Sequence, residues 1–406
     1  MNQSMRAQTG TLVLATSGVQ LAVGFLGTFI SLRVPLENFS ATMSALVLSG
    51  YYAGYTIGAV CSARLIERVG HIRAYAALAG LAVMATAVMP LAISGPAWLF
   101  LRAVVGFGCA GLFITTDGWL NAKAAPNERG RVLAIFRVGI FIALAVGQIL
   151  ISQVDIRGPA AFNISVAIFA MALALVSLTR AEPPQIAAAT SLPYGQLLRG
   201  APVAAAGAAI SGLLTGAFYT LVPAWMQERG NDRATIGLVM LAAVFGGLAF
   251  QIPVGRVSDR VDRRIVLAGL CVGLVCTSIA LVHLPRTLPA VLPTAFLFGG
   301  VLSTLLPVSI AHAHDRMRGE RIMALSGRLI LLFGLGCISG PLLGTVFVVS
   351  FGIDGVLYLI AAVALVLAFF AAARSLTLEA APRVERGFGI VTPAAPLVTR
   401  DPTPQS

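Results

Sequence analysis

The stretch Gly255-Arg256-Val257-Ser258-Asp259-Arg260-Val261-Asp262-Arg263-Arg264 lies between two apolar runs, 235–255 and 265–284. Starting 192 positions earlier, Ala63-Arg64-Leu65-Ile66-Glu67-Arg68-Val69-Gly70-His71-Ile72-Arg73 lies between two more, 41–63 and 74–94. Each stretch is a short basic segment carrying acid. Each is flanked by runs of about 20 residues, the length that crosses a hydrocarbon core as a helix. A second pair of marks, Arg131-Val132-Leu133-Ala134 and Arg321-Ile322-Met323-Ala324, recurs at a spacing of 190. Near-constant spacing of two such marks reads as an internally repeated membrane chain.

Working outward from these segments gives twelve apolar runs: 12–32, 41–63, 74–94, 97–120, 131–151, 160–179, 201–224, 235–255, 265–284, 290–312, 321–348 and 354–374. They are apolar all round rather than alternating. A helix, which satisfies its own backbone hydrogen bonds in lipid, is therefore expected over a barrel strand. The fold class expected is all-α membrane protein, twelve transmembrane helices in two six-helix bundles. Residues 1–179 form the first bundle, 180–200 a central linker on the cytoplasmic side and 201–375 the second bundle. The proline-bearing stretch 376–406 is a disordered cytoplasmic tail.

Composition supports this class. The chain is 58% hydrophobic and 11% charged, with mean hydropathy +0.90, and so little charge cannot coat a water-facing surface. The net charge of +12 does not point to nucleic acid, because the arginines punctuate apolar runs and form no basic stripe. With the N-terminus placed inside, 20 basic residues fall in cytoplasmic segments, 5 in outer ones and 3 (Arg102, Arg137, Arg328) within runs. By the positive-inside rule both termini are cytoplasmic. The run 12–32 is too long for a signal peptide and reads as a retained first helix. The five cysteines are scattered singly in apolar runs, indicating neither a metal site nor a disulfide framework.

The two basic segments resemble the loop signature G-x-L-x-D-R-x-G-R-R of the major facilitator superfamily. The second copy matches at Gly255, Asp259, Arg260, Arg263 and Arg264; the first has Ala63, Glu67 and His71 where Gly, Asp and Arg are usual. Arg102 to Gly108 is similar to the family's R-x-x-x-G-x-G segment. Gly336 to Gly344 is similar to its G-x-x-x-G-P-x-x-G antiporter segment, which usually sits in the fifth span; there this chain has Ala143 and Gly147-Gln148 without the proline. Through Gly106–Asn121 and Phe250–Val266 the chain looks most like the YcaD-type bacterial branch. The resemblance covers about residues 10–375. It implies a multi-pass transporter of the bacterial inner membrane, working by alternating access, with spans 1, 4, 7 and 10 around the cavity.

Candidate cavity residues follow. Gln20 shares a face of span 1 with Thr16, Gly24 and Thr28; span 7 offers Ser211, Thr215 and Tyr219 at helical spacing; span 2 contributes Tyr51, Tyr52 and Tyr55. Arg102 is a charge inside a span, facing a cavity that can hold an anionic group or reaching out to the interface along its stem. At the cytoplasmic gate, Glu67 and Asp259 are carboxylates at matched positions, able to accept from Arg68, Arg260 and exposed helix amides; plain topogenic charge is the alternative. Asp117, near the inner end of span 4, is read as a proton carrier or as a member of an inner charge cluster with Arg68, Arg73, Arg131 or Arg137. It is too far along the helix to meet Arg102. Arg137 and Arg328, nearly equivalent in the two halves, suggest a shared role at the gate or simple snorkelling. His312 is expected at the interface.

The function expected is secondary active transport of a small organic solute, driven by protons. Efflux of drug-like compounds and a non-transporting receptor of the same fold remain alternatives. No phosphate-binding G-x-x-x-x-G-K-[ST] occurs, and no paired carboxylates, metal ligands or nucleophile arrangement suggest an enzyme. Expected partners are the solute, the bilayer and protons, with no cofactor, no metal, no nucleic acid and a monomeric state.

Overall fold

A computed structural model describes residues 3–123, 129–178, 193–285, 287–317 and 322–377. Among them there is no strand. The first half forms α1 (Gln3–Arg33), α2 (Ala41–Val69), α3 (His71–Val88), α4 (Gly95–Lys123), α5 (Arg129–Leu150) and α6 (Ala160–Ser177). A short α7 (Tyr194–Gly200) precedes α8 (Pro202–Glu228), α9 (Arg233–Ala249), α10 (Gln251–Arg260), α11 (Arg263–His283), α12 (Leu288–Arg316), α13 (Ile322–Phe351) and α14 (Gly355–Thr377). Because α9 and α10 are one rod that changes course at Phe250, the described residues make twelve long rods. Eleven of them are long and apolar enough to cross a membrane. The remaining one, α2, has 29 residues; Tyr51, Tyr52 and Tyr55 temper its apolarity.

The rods reverse direction at each short turn. The face at which α1 begins is called proximal below, and the opposite face distal. Within the first half α2 and α3 lie on α4, and α1 lies on α5 and α6. Within the second half α9 lies on α12, α8 on α13, and α11 on α12 and α14. The two halves therefore repeat one packing plan.

Glycine sets the closest approaches, as expected where backbones rather than side chains meet in lipid. A Cβ on Gly54 of α2 would lie 1.8 Å from the Ala103 carbonyl of α4, and one on Gly106 of α4 1.9 Å from the Tyr51 carbonyl. The second half repeats this at α9 and α12: Gly246 faces the Phe296 carbonyl at 1.8 Å and Gly299 the Ala243 carbonyl at 2.0 Å.

The basic segments are less loop-like than their charge suggests. Residues 64–69 continue α2, and only Gly70, with φ +83°, turns the chain into α3. Likewise α10 carries the second segment to Arg260, leaving Val261 and Asp262 as the turn. Asp262 caps α11, accepting from the Arg264 amide at 2.9 Å, as Ser40 caps α2 (Met43 amide, 3.2 Å) and Asp232 caps α9 (Thr235 amide, 3.0 Å). Of the expected linker, residues 193–200 hold α7; 179–192 lie outside the described residues. Of the expected tail, residues 378–406 also lie outside them, and α14 runs to Thr377.

Candidate functional site

A cavity of about 100 Å³ opens between the halves. Its first-half wall is polar: Gln20 from α1, Tyr51, Tyr52 and Tyr55 from α2, Arg102 from α4 and Gln148 from α5. Its second-half wall is largely apolar: Leu306 from α12 and Ile330, Leu331 and Phe333 from α13, with Tyr219 and Thr220 from α8. Of the cavity residues expected from the sequence, Gln20, Tyr51, Tyr52, Tyr55, Arg102 and Tyr219 thus line one space. Ser211 and Thr215 do not: both are buried on α8 and do not border the cavity. Gln148 was missed; it is a lone amide in an apolar run, the same signal that marked Gln20.

Arg102 is 3% exposed, and its guanidinium carbon sits 4.9 Å from the centroid of the Tyr51 ring. Tyr51 in turn meets Tyr52 edge-on at 5.4 Å and Tyr55 at 6.0 Å. Gln148 is internally satisfied: Thr28 donates to its Oε1 at 2.7 Å, and its Nε2 donates to the Gly24 carbonyl at 3.4 Å. Three other buried atoms of the polar wall, Gln20 Oε1, the Tyr51 hydroxyl and Arg102 Nε, make no hydrogen bond among the described residues.

Asp117 lies near the proximal end of α4, with Arg137 Nη2 3.6 Å from its Oδ2. Of the four arginines considered for its cluster, the structure brings Arg137. The side chain of Arg131 lies outside the described residues. Arg328 differs from Arg137 despite their matched positions: its guanidinium stacks 4.4 Å over the ring of Tyr194 on α7. Glu67, Arg68 and Arg260 are exposed, and Glu67 and Arg68 form no ion pair among the described residues. Asp259 pairs with Arg263 at 3.2 Å, inside its own half. Arg263 also holds Asp315 at 2.6 Å and Ser258 at 2.8 Å, and Arg264 holds Asp262 and the Arg374 carbonyl, each at 2.6 Å. Asp315 gave no signal in the sequence because it is a single acid beside loop arginines, paired with a partner 52 residues away. His312 is 5% exposed, buried rather than interfacial.

The hydrogen bonds that join the halves lie toward the distal face. Ser31 donates to the Thr220 carbonyl, Arg233 to the Val154 carbonyl, and Ser49 to the Ile338 carbonyl at 2.8 Å. Gly237 rests against the Gln148 carbonyl, where a Cβ would come within 2.7 Å. At the proximal face the ion pairs seen among the described residues lie within one half: Asp117–Arg137 in the first, Arg263–Asp315 and Arg264–Asp262 in the second.

Comparison with known proteins agrees with this architecture. The family model described as Major Facilitator Superfamily matches residues 12–231 and 204–400. The MFS-type transporter YcaD of Escherichia coli O7:K1 (strain IAI39 / ExPEC) is 27% identical over 363 residues, covering 88% of this chain and 94% of the relative. The YcaD of Shigella flexneri serotype 5b (strain 8401) aligns to the same extent. Among solved structures, the nucleoside transporter NupG superposes with TM-score 0.75 at 13% identity, over 91% of this chain and 100% of its own. A bacterial homologue of the human lysosomal transporter Spinster, in an inward-facing and unoccupied conformation, gives TM-score 0.72 at 14% identity over 92% and 96%. The D-xylose-proton symporter gives 0.66 at 13% over 89% and 96%. The chain is a multi-pass membrane protein of the YcaD type and belongs to the major facilitator superfamily.

Proposed function

We propose that this membrane transporter moves a small organic solute across a bacterial inner membrane by alternating access, with protons as the driving ion and both termini in the cytoplasm. The observation that carries the reading is the uneven seam between the halves. Hydrogen bonds and backbone contacts join them at the distal face, while among the described residues the proximal ion pairs lie within one half, with the cavity between. Two rigid bundles about a central site, held together at one end, are the geometry of a rocking carrier. With the arginine-rich proximal face inside, this form faces the cytoplasm. Glu67, Arg68, Asp259 and Arg260 are then gate residues in their released arrangement, and Asp117 with Arg137 and Arg328 borders the inner mouth. As gate groups they would meet across the halves when the proximal mouth closes.

The test needs no knowledge of the solute. Spin labels at Arg68 and Arg256 report the proximal mouth, and labels at Ser94 and His283 the distal one. In the full chain reconstituted in nanodiscs, both label pairs should show two distances whose populations change in opposite senses with pH or with added solutes. A single fixed distance at both faces under all conditions would instead favour a receptor or scaffold. Dependence of vesicle uptake on a proton gradient, abolished by an uncoupler, tests the driving ion.

A further inference from the structure

Four buried or nearly buried arginines of the described chain face an acid: Arg137 has Asp117, Arg229 has Asp354, Arg263 has Asp315 and Arg264 has Asp262. Arg102, more buried than all of these but Arg264, has none among the described residues. It faces the ring of Tyr51, and no acid lines the cavity that it borders. Asp117, on the same helix, is 15 residues away, about 22 Å along the axis, and is engaged by Arg137. Arginine keeps its proton in proteins, and a buried charge without a counter-charge is costly. Such an arrangement persists where a counter-ion arrives from outside.

The polar wall also breaks the internal repeat. A spacing of 192 carries Gly54 onto Gly246, and 193 carries Gly106 onto Gly299, the glycines that set helix contact in each half. At the same spacings Tyr51 falls on Ala243, Tyr55 on Gly247, and Arg102 on Thr294 or Ala295. The scaffold is duplicated, whereas the guanidinium and its aromatic bed are present once. Opposite them stand Leu306, Ile330, Leu331 and Phe333, which offer an apolar surface and no hydrogen bonds.

From this asymmetry we infer that the solute is an amphipathic organic monoanion. Its carboxylate or similar oxyanion is held by Arg102 beside the Gln20 amide, and its hydrocarbon or aromatic body lies on the α12–α13 wall. The inference rests on the transporter reading and adds a coupling to it. Arg102 is already buried without a counter-charge, and closing the mouth over an empty cavity removes the remaining solvent near it, so that closure is penalised. A bound anion neutralises the site and lets the halves close. The anion thus joins the polar half to the apolar half at the moment of occlusion.

The experiment uses the purified full chain in nanodiscs and a panel of monocarboxylates of graded body size, from acetate through benzoate to 3-phenylpropionate. Each is paired with its neutral amide, and benzylamine serves as the cationic control. Binding is read by thermal shift. The expected result is a dose-dependent stabilisation by the larger carboxylates, absent for acetate, the amides and benzylamine. Affinity should weaken about tenfold or more in Arg102→Gln and less in Arg102→Lys, as for loss of a charge-assisted contact. In the ligand-free state Arg102→Gln and Arg102→Met should melt no lower than the parent, because they remove an uncompensated charge. In the spin-labelled protein, 3-phenylpropionate should populate the closed proximal distance, and Arg102→Met should populate it without ligand. A panel in which no carboxylate binds, in which amides or benzylamine bind as well as the acids, or in which Arg102→Gln binds unchanged, overturns the assignment. Reciprocal distance changes persisting in that event leave the rocking carrier standing and remove only the anion.

Discussion

Arg263 Nε lies 2.6 Å from Asp315 Oδ2, tying the start of α11 to the end of α12 from a position where both side chains are buried. The same guanidinium reaches Asp259 at 3.2 Å, but that carboxylate is 39% exposed. Two acids on one arginine therefore differ in weight. Asp315→Ala should cost about 3–5 kcal/mol, the range for stranding a buried charge. Asp259→Ala should cost about 0–1 kcal/mol, the range for a solvated pair. Unfolding of the purified protein in mixed micelles compares the two directly; equal losses would contradict this ordering.

A similar argument applies to Asp117 and Arg137, whose side chains are 1% and 7% exposed. Arg137→Met should destabilise the fold by about 3 kcal/mol, and adding Asp117→Asn should restore much of that loss because the stranded carboxylate is then neutral. A double-mutant cycle on unfolding midpoints measures the coupling. Additive losses would mean that the two groups do not act as a pair.

At Gly54 and Gly246 a methyl group would come within 1.8 Å of a backbone carbonyl on the facing helix. Alanine at either position should push α2 from α4, or α9 from α12, at a cost of about 3 kcal/mol or more, seen as a sharp fall in folded yield by fluorescence-detected size exclusion. Gly80, with nothing within 4 Å of its would-be Cβ, is the control; Gly80→Ala should gain about 0.5–1 kcal/mol from helix propensity.

Asp262 lies outside the spans. Burial pushes its carboxyl up, but hydrogen bonds from the Arg264 side chain and amide outweigh this and leave it below the usual carboxylate range. A depressed folded value means that the carboxylate's contribution is complete above its unfolded value, about 4. The contribution is then lost as pH falls through the folded value. Melting temperature should fall as the pH drops below about 4, and Asp262→Asn should start lower and flatten that limb. Identical acid limbs in the two proteins would exclude Asp262 as a source.

The apolar runs and the paired basic segments were enough to read the all-helical membrane fold and the family, because a lipid environment leaves few ways to satisfy a backbone. The cavity was partly legible for the same reason: Gln20, Arg102 and the tyrosines are conspicuous in an apolar chain. Ser211 and Thr215 misled because a hydroxyl can bond to its own helix, as Thr220 does to the Gly216 carbonyl at 2.6 Å, so its presence says little about which way it faces. Charge marked residues 64–69 and 256–260 as loops, yet they are helical, since a rod that projects past the lipid can carry arginine without penalty. The repeat contained a further signal, the Gly54–Gly246 and Gly106–Gly299 correspondences, which spacing alone could have found.

The bonds from Ser31, Ser49 and Arg233 that seal the distal face have a pharmacological consequence. In the orientation proposed, a membrane-impermeant blocker added outside the cell meets a shut surface. The same blocker applied to inside-out vesicles reaches the guanidinium directly. On that proposed orientation, an inhibitor of this form must first enter the cell.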